Sequence, residues 1–415
     1  VAALEAGSSG NAVQASRIAD LVQILGVNTF SSMSATSNVW GSWPADYSPA
    51  SVNAALDWLL NGATYRLQGR EYHYAGRESM QLPWLHALGG RLRFMVAIGA
   101  NGDVAAVPSM LTLAADPACS IFALEGINEP NNDFGSGTKP VADTLAAQQA
   151  LAGPSKIFGP SIVFGLPHPE GWLTGYMGSI APAMNAAMVV GNGHFYPPSH
   201  CDADDGAGPA FADVVRGMGI AYPGKQPAIT EFHPTLYNSA TPKVPPGGTM
   251  DGYWLLLAWL RAYQLGVRSM IWYALFDYAA VYVCGLFPKT GGIEPRASAY
   301  AVRNVCTVCA DAGTNRDTFT PGKLGYTLSG MPAGAWDSLF QDSTGRFFLM
   351  LANPSTTLGG SSVPVTVTLA VAASHVAEYD LTKVSGGGVP LQTVSGVRNV
   401  VSQLSGTVRV LVITP

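Results

Sequence analysis

Apolar residues along the chain fall into two alternating kinds of stretch. Short apolar runs end in polar or turn-forming residues and predict buried strands. They are Val27-Asn28-Thr29-Phe30, Ala63-Thr64-Tyr65-Arg66-Leu67, residues 92–98, residues 121–127, residues 162–166, residues 188–196, the run reaching Glu231, and residues 269–275. Longer stretches between them repeat at helical spacing. Val13, Ile18, Leu21, Val22 and Leu25 share one helical face over residues 10–25, closed by Gly26. Ser48-Pro49 supplies a cap and a first-turn proline, Val52, Ala55, Leu56, Leu59 and Leu60 keep the period, and Asn61-Gly62 stops it. Lys139-Pro140 opens a helix that Gly153 closes, residues 251–265 form an apolar helix stopped at Gly266, and a last helix covers roughly 295–312.

Eight strands alternating with helices, their starts 26 to 42 residues apart, imply βα units and a parallel sheet. Eight units in about 300 residues fit a closed (β/α)8 barrel, a TIM barrel, better than an open doubly wound sheet. After Phe319-Thr320-Pro321-Gly322 the period changes to two: Val363, Val365, Val367, Leu369 and Val371 alternate with small or polar residues, as do Val408, Val410 and Val412. The expected fold class is therefore α/β, with a barrel over residues 1–315 followed by a small all-β sandwich over 316–415.

Composition narrows the picture. With 415 residues, 48% hydrophobic and 12% charged, the chain has ample material for a large core. A net charge of −5 without a Lys/Arg run argues against a nucleic-acid or anionic-membrane partner. No apolar stretch is long enough to span a membrane. The chain opens on Val1, as a processed or trimmed chain does, and the composition fits a secreted or periplasmic location. A monomer is expected. No Gly-rich phosphate loop follows a strand, so no nucleotide cofactor is predicted.

Two of the strands deliver carboxylates. Ile121–Leu124 runs into Gly126-Ile127-Asn128-Glu129-Pro130, and Gln226–Thr230 ends in Glu231. One carboxylic acid and one carboxylate facing a single bond are what glycoside hydrolysis requires. The acidic loop His200-Cys201-Asp202-Ala203-Asp204-Asp205-Gly206 lacks calcium-loop spacing and reads as solvated. A metal-dependent barrel hydrolase would want His-x-His where Asn28-Thr29-Phe30 stands, so no metal is predicted. Cys306 and Cys309 read as buried thiols on a helix, with a local disulfide as the alternative, and Cys201 and Cys284, after strands six and eight, are candidates for a bridge.

Asn-Glu ending strand four and Glu ending strand seven, in a chain that counts to eight strands, resembles the clan A glycoside hydrolases. These are retaining (β/α)8 enzymes with catalytic glutamates at those two places. The layout, with its β-sandwich, is similar to families 30 and 39. The resemblance implies that Glu129 is the general acid/base and Glu231 the nucleophile. It implies that Asn128 binds the sugar 2-hydroxyl, that the Gly193-His194-Phe195-Tyr196 segment brings Tyr196 to Glu231, and that Arg66 supplies a charge keeping Glu231 ionised. Trp272 corresponds to the strand-eight tryptophan that floors the sugar site. Gly285-Leu286-Phe287 with Glu294-Pro295-Arg296-Ala297 is a loose version of the clan's Gly-Leu…Lys-Pro-Ala segment, Glu294 departing from it. A retaining O-glycosidase acting on a poly- or oligosaccharide is the function implied. A non-catalytic carbohydrate-binding barrel and a transglycosylase are the alternatives on the same scaffold.

Overall fold

A computed structural model describes residues 12–29, 48–100, 102–131, 139–152, 157–163, 178, 181–196, 211–233, 249–277, 284–288, 293–354 and 362–415. Eight parallel strands close into a barrel: β1 (Leu25–Asn28), β2 (Leu67–His73), β3 (Leu92–Ile98), β4 (Ile121–Ile127), β5 (Ile157–Phe158), β6 (Val190–Phe195), β7 (Gln226–Phe232) and β8 (Met270–Trp272). β8 pairs back onto β1, and β7 joins β6 to β8, so the ring has no open edge. The expected fold class is what the chain adopts.

Local chemistry explains the elements. Helix Pro49–Leu60 begins with Ser48 and Ser51 capping each other and ends at Asn61, whose φ of 48° turns the chain out of the helix. Its buried face, Val52, Ala55, Leu56, Leu59 and Leu60, joins the large apolar layer between strands and helices. Inside the ring sits a separate small apolar layer of Met95, Ala123, Phe158, Val190 and Ala228. Polar side chains flank it, Gln68 and Arg93 toward the amino ends of the strands and Arg70, Glu125 and Glu231 toward the carboxyl ends.

Several elements differ from the sequence expectation. Strand two runs over Leu67–His73, not 63–67; Ala63–Arg66 belongs to the turn leaving the preceding helix, where the Ala63 amide donates to Leu60. The true strand, LQGREYH, is rich in polar residues because alternate positions line a polar barrel interior, and a search for apolar runs passes over it. Strand five lies in two pieces on one edge of β6, Ile157–Phe158 and then Ile162–Val163. Pro160 between them has no amide hydrogen to give the ladder. The segment read as the start of a helix forms two strands, Ala12–Gln14 and Ser16–Arg17, ahead of a short helix Ile18–Gln23.

Those two strands extend the C-terminal sheets. Ala12–Gln14 pairs with Lys323–Gly325 at the edge of a four-stranded sheet, and Ser16–Arg17 with Phe340–Gln341 at the edge of a six-stranded one. The faces of the two sheets enclose a second core that includes Leu349, Val365, Val367, Val400 and Leu411. Cys306 and Cys309 are buried free thiols on and just after helix Ala297–Val308. Among the described residues no helix is long and apolar enough to cross a membrane. The acidic loop 200–206, with Cys201 and hence the Cys201–Cys284 bridge, lies outside the described residues.

Candidate active site

Glu129 and Glu231 leave the carboxyl ends of β4 and β7, and each follows a break in strand register. On β4, Ala97 aligns with Glu125 but Ile98 with Ile127; on β7, Gly193 aligns with Ile229 but His194 with Glu231. Such bulges add one residue and change which face the next side chain takes. On β4 the bulge turns Ile127 into the helix-side core and Asn128 into the barrel, on the same side as Glu125. Gly126 permits it, since a Cβ there would meet Gln148 Oε1 at 2.2 Å and Pro160 N at 3.0 Å. Glu129 itself has φ 44°, a left-handed conformation that costs a glutamate about 1–2 kcal/mol. Its amide donates to the Ser161 carbonyl at 2.9 Å, which holds it there.

The two carboxylates face each other. One oxygen of Glu129, one of Glu231 and Nδ1 of His194 all lie within 4.8 Å of one another. His194 Nδ1 is 2.7 Å from Glu129 Oε1 and 3.4 Å from Glu231 Oε2. Burial pushes the His194 ring down to about pKa 4, so at neutral pH it is uncharged. Glu231 is held at both oxygens. Oε1 accepts from Arg70 Nη1 at 2.5 Å and from the Tyr72 hydroxyl, and Oε2 accepts from the Tyr196 hydroxyl. Burial and then the neighbouring Glu231 charge keep the Tyr72 and Tyr196 hydroxyls protonated, as donors.

Arg70 is the hub. Its Nε and Nη2 grip Glu125 at 2.9 and 2.5 Å, Nη1 reaches Glu231, and Nη2 also donates to Asn128 Oδ1 at 2.8 Å. Burial works against its charge, but Glu125, Tyr72 and Glu231 outweigh it and hold the pKa well above the ordinary arginine value. Ser161 Oγ adds a 3.3 Å bond to Asn128 Oδ1. With that oxygen facing the guanidinium, the Asn128 amide nitrogen is turned the other way. After β8, Asp277 takes two bonds from Arg296, at 2.7 and 2.5 Å, and one from the Gly285 amide, tying the Gly285-Leu286-Phe287 segment to the Pro295-Arg296 turn.

Of the residues expected here, Glu129, Glu231, Asn128, His194 and Tyr196 are brought together. Arg66 is not among them. It precedes β2 at the opposite end of the barrel, where it donates to the Gly89 carbonyl at 3.0 Å and to Ser120 Oγ at 2.8 Å. The arginine beside Glu231 is Arg70, four residues further along and inside the true strand. Trp272 is 1% exposed and packs into the helix-side core, against Phe232 and His233, with its Nε1 donating to the Cys284 carbonyl. Alternation puts the next residue, Tyr273, at the barrel mouth, 5.9 Å from Tyr196 ring to ring. Arg70, Tyr72 and Glu125 escaped the sequence reading. Gln68, Arg70 and Tyr72 at period two were the available signal.

No family model and no curated protein matches the sequence. Solved structures do match its fold. A family GH30 endoxylanase from Clostridium papyrosolvens aligns over 99% of this chain and 98% of its own, at TM-score 0.59 and 13% identity. A glucosidase from Croceicoccus marinus aligns over 98% of each chain at TM-score 0.63 and 13% identity. The fold is the one that these two solved structures have. A thermostable GH51 α-L-arabinofuranosidase from Thermotoga petrophila aligns over 97% of this chain and 98% of its own, at TM-score 0.63 and 10% identity. Both the barrel and the sandwich are thus shared, at full length, with proteins whose named activities differ in the sugar concerned.

The group Glu129, His194 and Glu231 has donor atoms of a kind that also bind cations. Here both Glu231 oxygens already accept from a guanidinium and two phenols, which satisfies the carboxylate without a metal.

Proposed function

We propose that the protein is a glycoside hydrolase that cleaves an O-glycosidic bond of a poly- or oligosaccharide with retention of anomeric configuration, working outside the cytoplasm. The observation that carries the reading is the approach of Glu129 and Glu231 from strands four and seven, with a carboxylate oxygen of each within 4.8 Å of the other. Retaining enzymes hold their two carboxyl groups about 5–5.5 Å apart, and inverting ones about 6.5–9.5 Å, to admit a water.

Glu231 attacks the anomeric carbon and forms a glycosyl-enzyme. Arg70, Tyr72 and Tyr196 keep it ionised and aimed, because each donates to the charged form. Glu129 protonates the departing oxygen, then takes a proton from the incoming water. With its proton on Nδ1, the neutral His194 ring donates to Glu129 Oε1, leaving Oε2 to carry the transferred proton. The negative charge of Glu231 favours a proton on Glu129 before the first step, and esterification removes that charge before the second. The Asn128 amide nitrogen, turned away from Arg70, is the donor for the sugar hydroxyl beside the reacting carbon.

Two measurements test this. NMR of the first-formed product reads its anomer before mutarotation, and a 2-fluoro glycoside with a good leaving group traps the ester for peptide mass spectrometry. Retention with the label on Glu231 is expected. An inverted anomer, or a label on another residue, overturns the assignment.

A further inference from the structure

The amino ends of the barrel strands, opposite Glu129 and Glu231, surround a cavity of about 470 Å3. Arg93, Arg268, Gln68, Gln23, Phe122 and Tyr263 are among its walls. Gln68 of β2 and Arg93 of β3 stand side by side in register. The volume suits a monosaccharide-sized ligand.

The charge in this cavity is unbalanced. Arg17 is spent on Asp20, at 2.9 Å. Arg93 has no ion pair among the described residues. Its guanidinium lies 5.4 Å over the Phe122 ring and makes one long contact, 3.4 Å, to the Gln23 carbonyl. Burial, then the repulsion of Arg66 and Arg268, pulls its pKa below the ordinary value, with only Asp317 pulling the other way. Arg268 is exposed at the rim, and among the described residues its side chain hydrogen-bonds only Gln226 Oε1, at 3.4 Å. In a chain of net charge −5, this is a local excess of cation.

A second feature is independent of charge. Gln68 is 3% exposed, and its Nε2 donates to the Gln23 carbonyl at 2.7 Å, which fixes the amide's orientation. Its Oε1 has no hydrogen-bond partner among the described residues. Buried acceptors are nearly always satisfied, so this oxygen calls for a donor. Guanidinium donors and a residue with an unmet, buried acceptor thus stand in the walls of one cavity.

We infer that the lower barrel mouth is a binding site for a small hydroxylated oxyanion, with a carboxylate or phosphate on Arg93 and Arg268 and a hydroxyl donating to Gln68 Oε1. Sugar acids and sugar phosphates share this chemistry. The inference is independent of the glycosidase reading, because it concerns the other end of the barrel and its test reads binding, not turnover.

Calorimetric titration of the whole chain with glucuronate and with glucose 6-phosphate separates the two sources of anion; glucose and acetate each lack one half of the recognition. At least one of the sugar anions is expected to bind at one site per chain, more weakly as salt is raised, and at least about tenfold more tightly than glucose or acetate. Arg268→Gln, at an exposed position that cannot upset the core, is expected to weaken binding about tenfold, and Arg93→Gln at least as much. Failure of both sugar anions to bind, equal binding of glucose, or affinity unchanged by Arg268→Gln would each overturn the inference.

Discussion

The pH dependence of stability tests how His194 is held. The ring is fully buried, and burial is the largest influence on it. Glu231 and Glu125 pull its pKa up, Arg70 pushes it down, and the result is a fall from 6.5 to about 4. In the unfolded chain the same ring takes up its proton near pH 6.5. Between these two values the unfolded chain binds more protons than the folded one, so acid favours unfolding. The contribution is complete above pH 6.5, is lost progressively down to about 4, and changes no further below that. From 6.5 to about 4, at about 1.36 kcal/mol per pH unit, the loss amounts to about 3 kcal/mol.

The perturbation is His194→Asn, which keeps a donor near Glu129 but cannot be protonated. Urea unfolding of both proteins at a series of pH values between 7.5 and 4 gives the two stability curves. Other groups titrate in both proteins and cancel in the difference. The wild-type chain should lose about 3 kcal/mol more than the variant across that range, whatever their gap at pH 7.5. Parallel curves would mean that the ring is already charged when folded, or is open to water, and the description of a neutral His194 beside Glu129 would fall.

Glu129→Gln should lower turnover about 100-fold to 10,000-fold on substrates with poor leaving groups and far less on the first step with activated aryl glycosides, which need little protonation; equal losses in steady-state and burst kinetics would make Glu129 structural. Arg70→Met leaves Glu125 and Glu231 buried without their cation and should cost about 3–5 kcal/mol in denaturant unfolding, along with most activity. Arg66→Met removes only contacts to Gly89 and Ser120 and should cost about 1–2 kcal/mol with kcat/KM unchanged. A reversed ranking of the two variants would show that Arg70 is not the hub.

Much of this protein was legible in its sequence, for a reason that lies in the solvent. Strands buried on both faces must be apolar where they cross the helix-side core, so β3, β4 and β7 announce themselves as runs, and a glutamate just past such a run falls at the barrel rim. The sandwich strands bury one face each, so Val365, Val367 and Leu369 read at period two; Val371, past a shift in register, is exposed. Helix Pro49–Leu60 carries its own start and stop in Ser48 and Asn61, whose effects need nothing distant in the chain.

What only the tertiary structure decided depends on phase and on remote partners. Whether a strand residue faces helices or barrel interior changes with a single position, and the bulges on β4 and β7 reset that alternation. On β8 one position separates Trp272, in the core, from Tyr273, at the mouth. Strand β2 hides because the interior it lines is polar: Arg70 is tolerable there only because Glu125 and Glu231, 55 and 161 residues away, surround it. Residues 12–17 carry a helical pattern yet form strands, because the edges that pair with them are made by Lys323–Gly325 and Phe340–Gln341. Local propensity is worth a few tenths of a kcal/mol per residue, about 0.7 at most for ordinary residues, and a ladder of backbone hydrogen bonds to an existing sheet outweighs it.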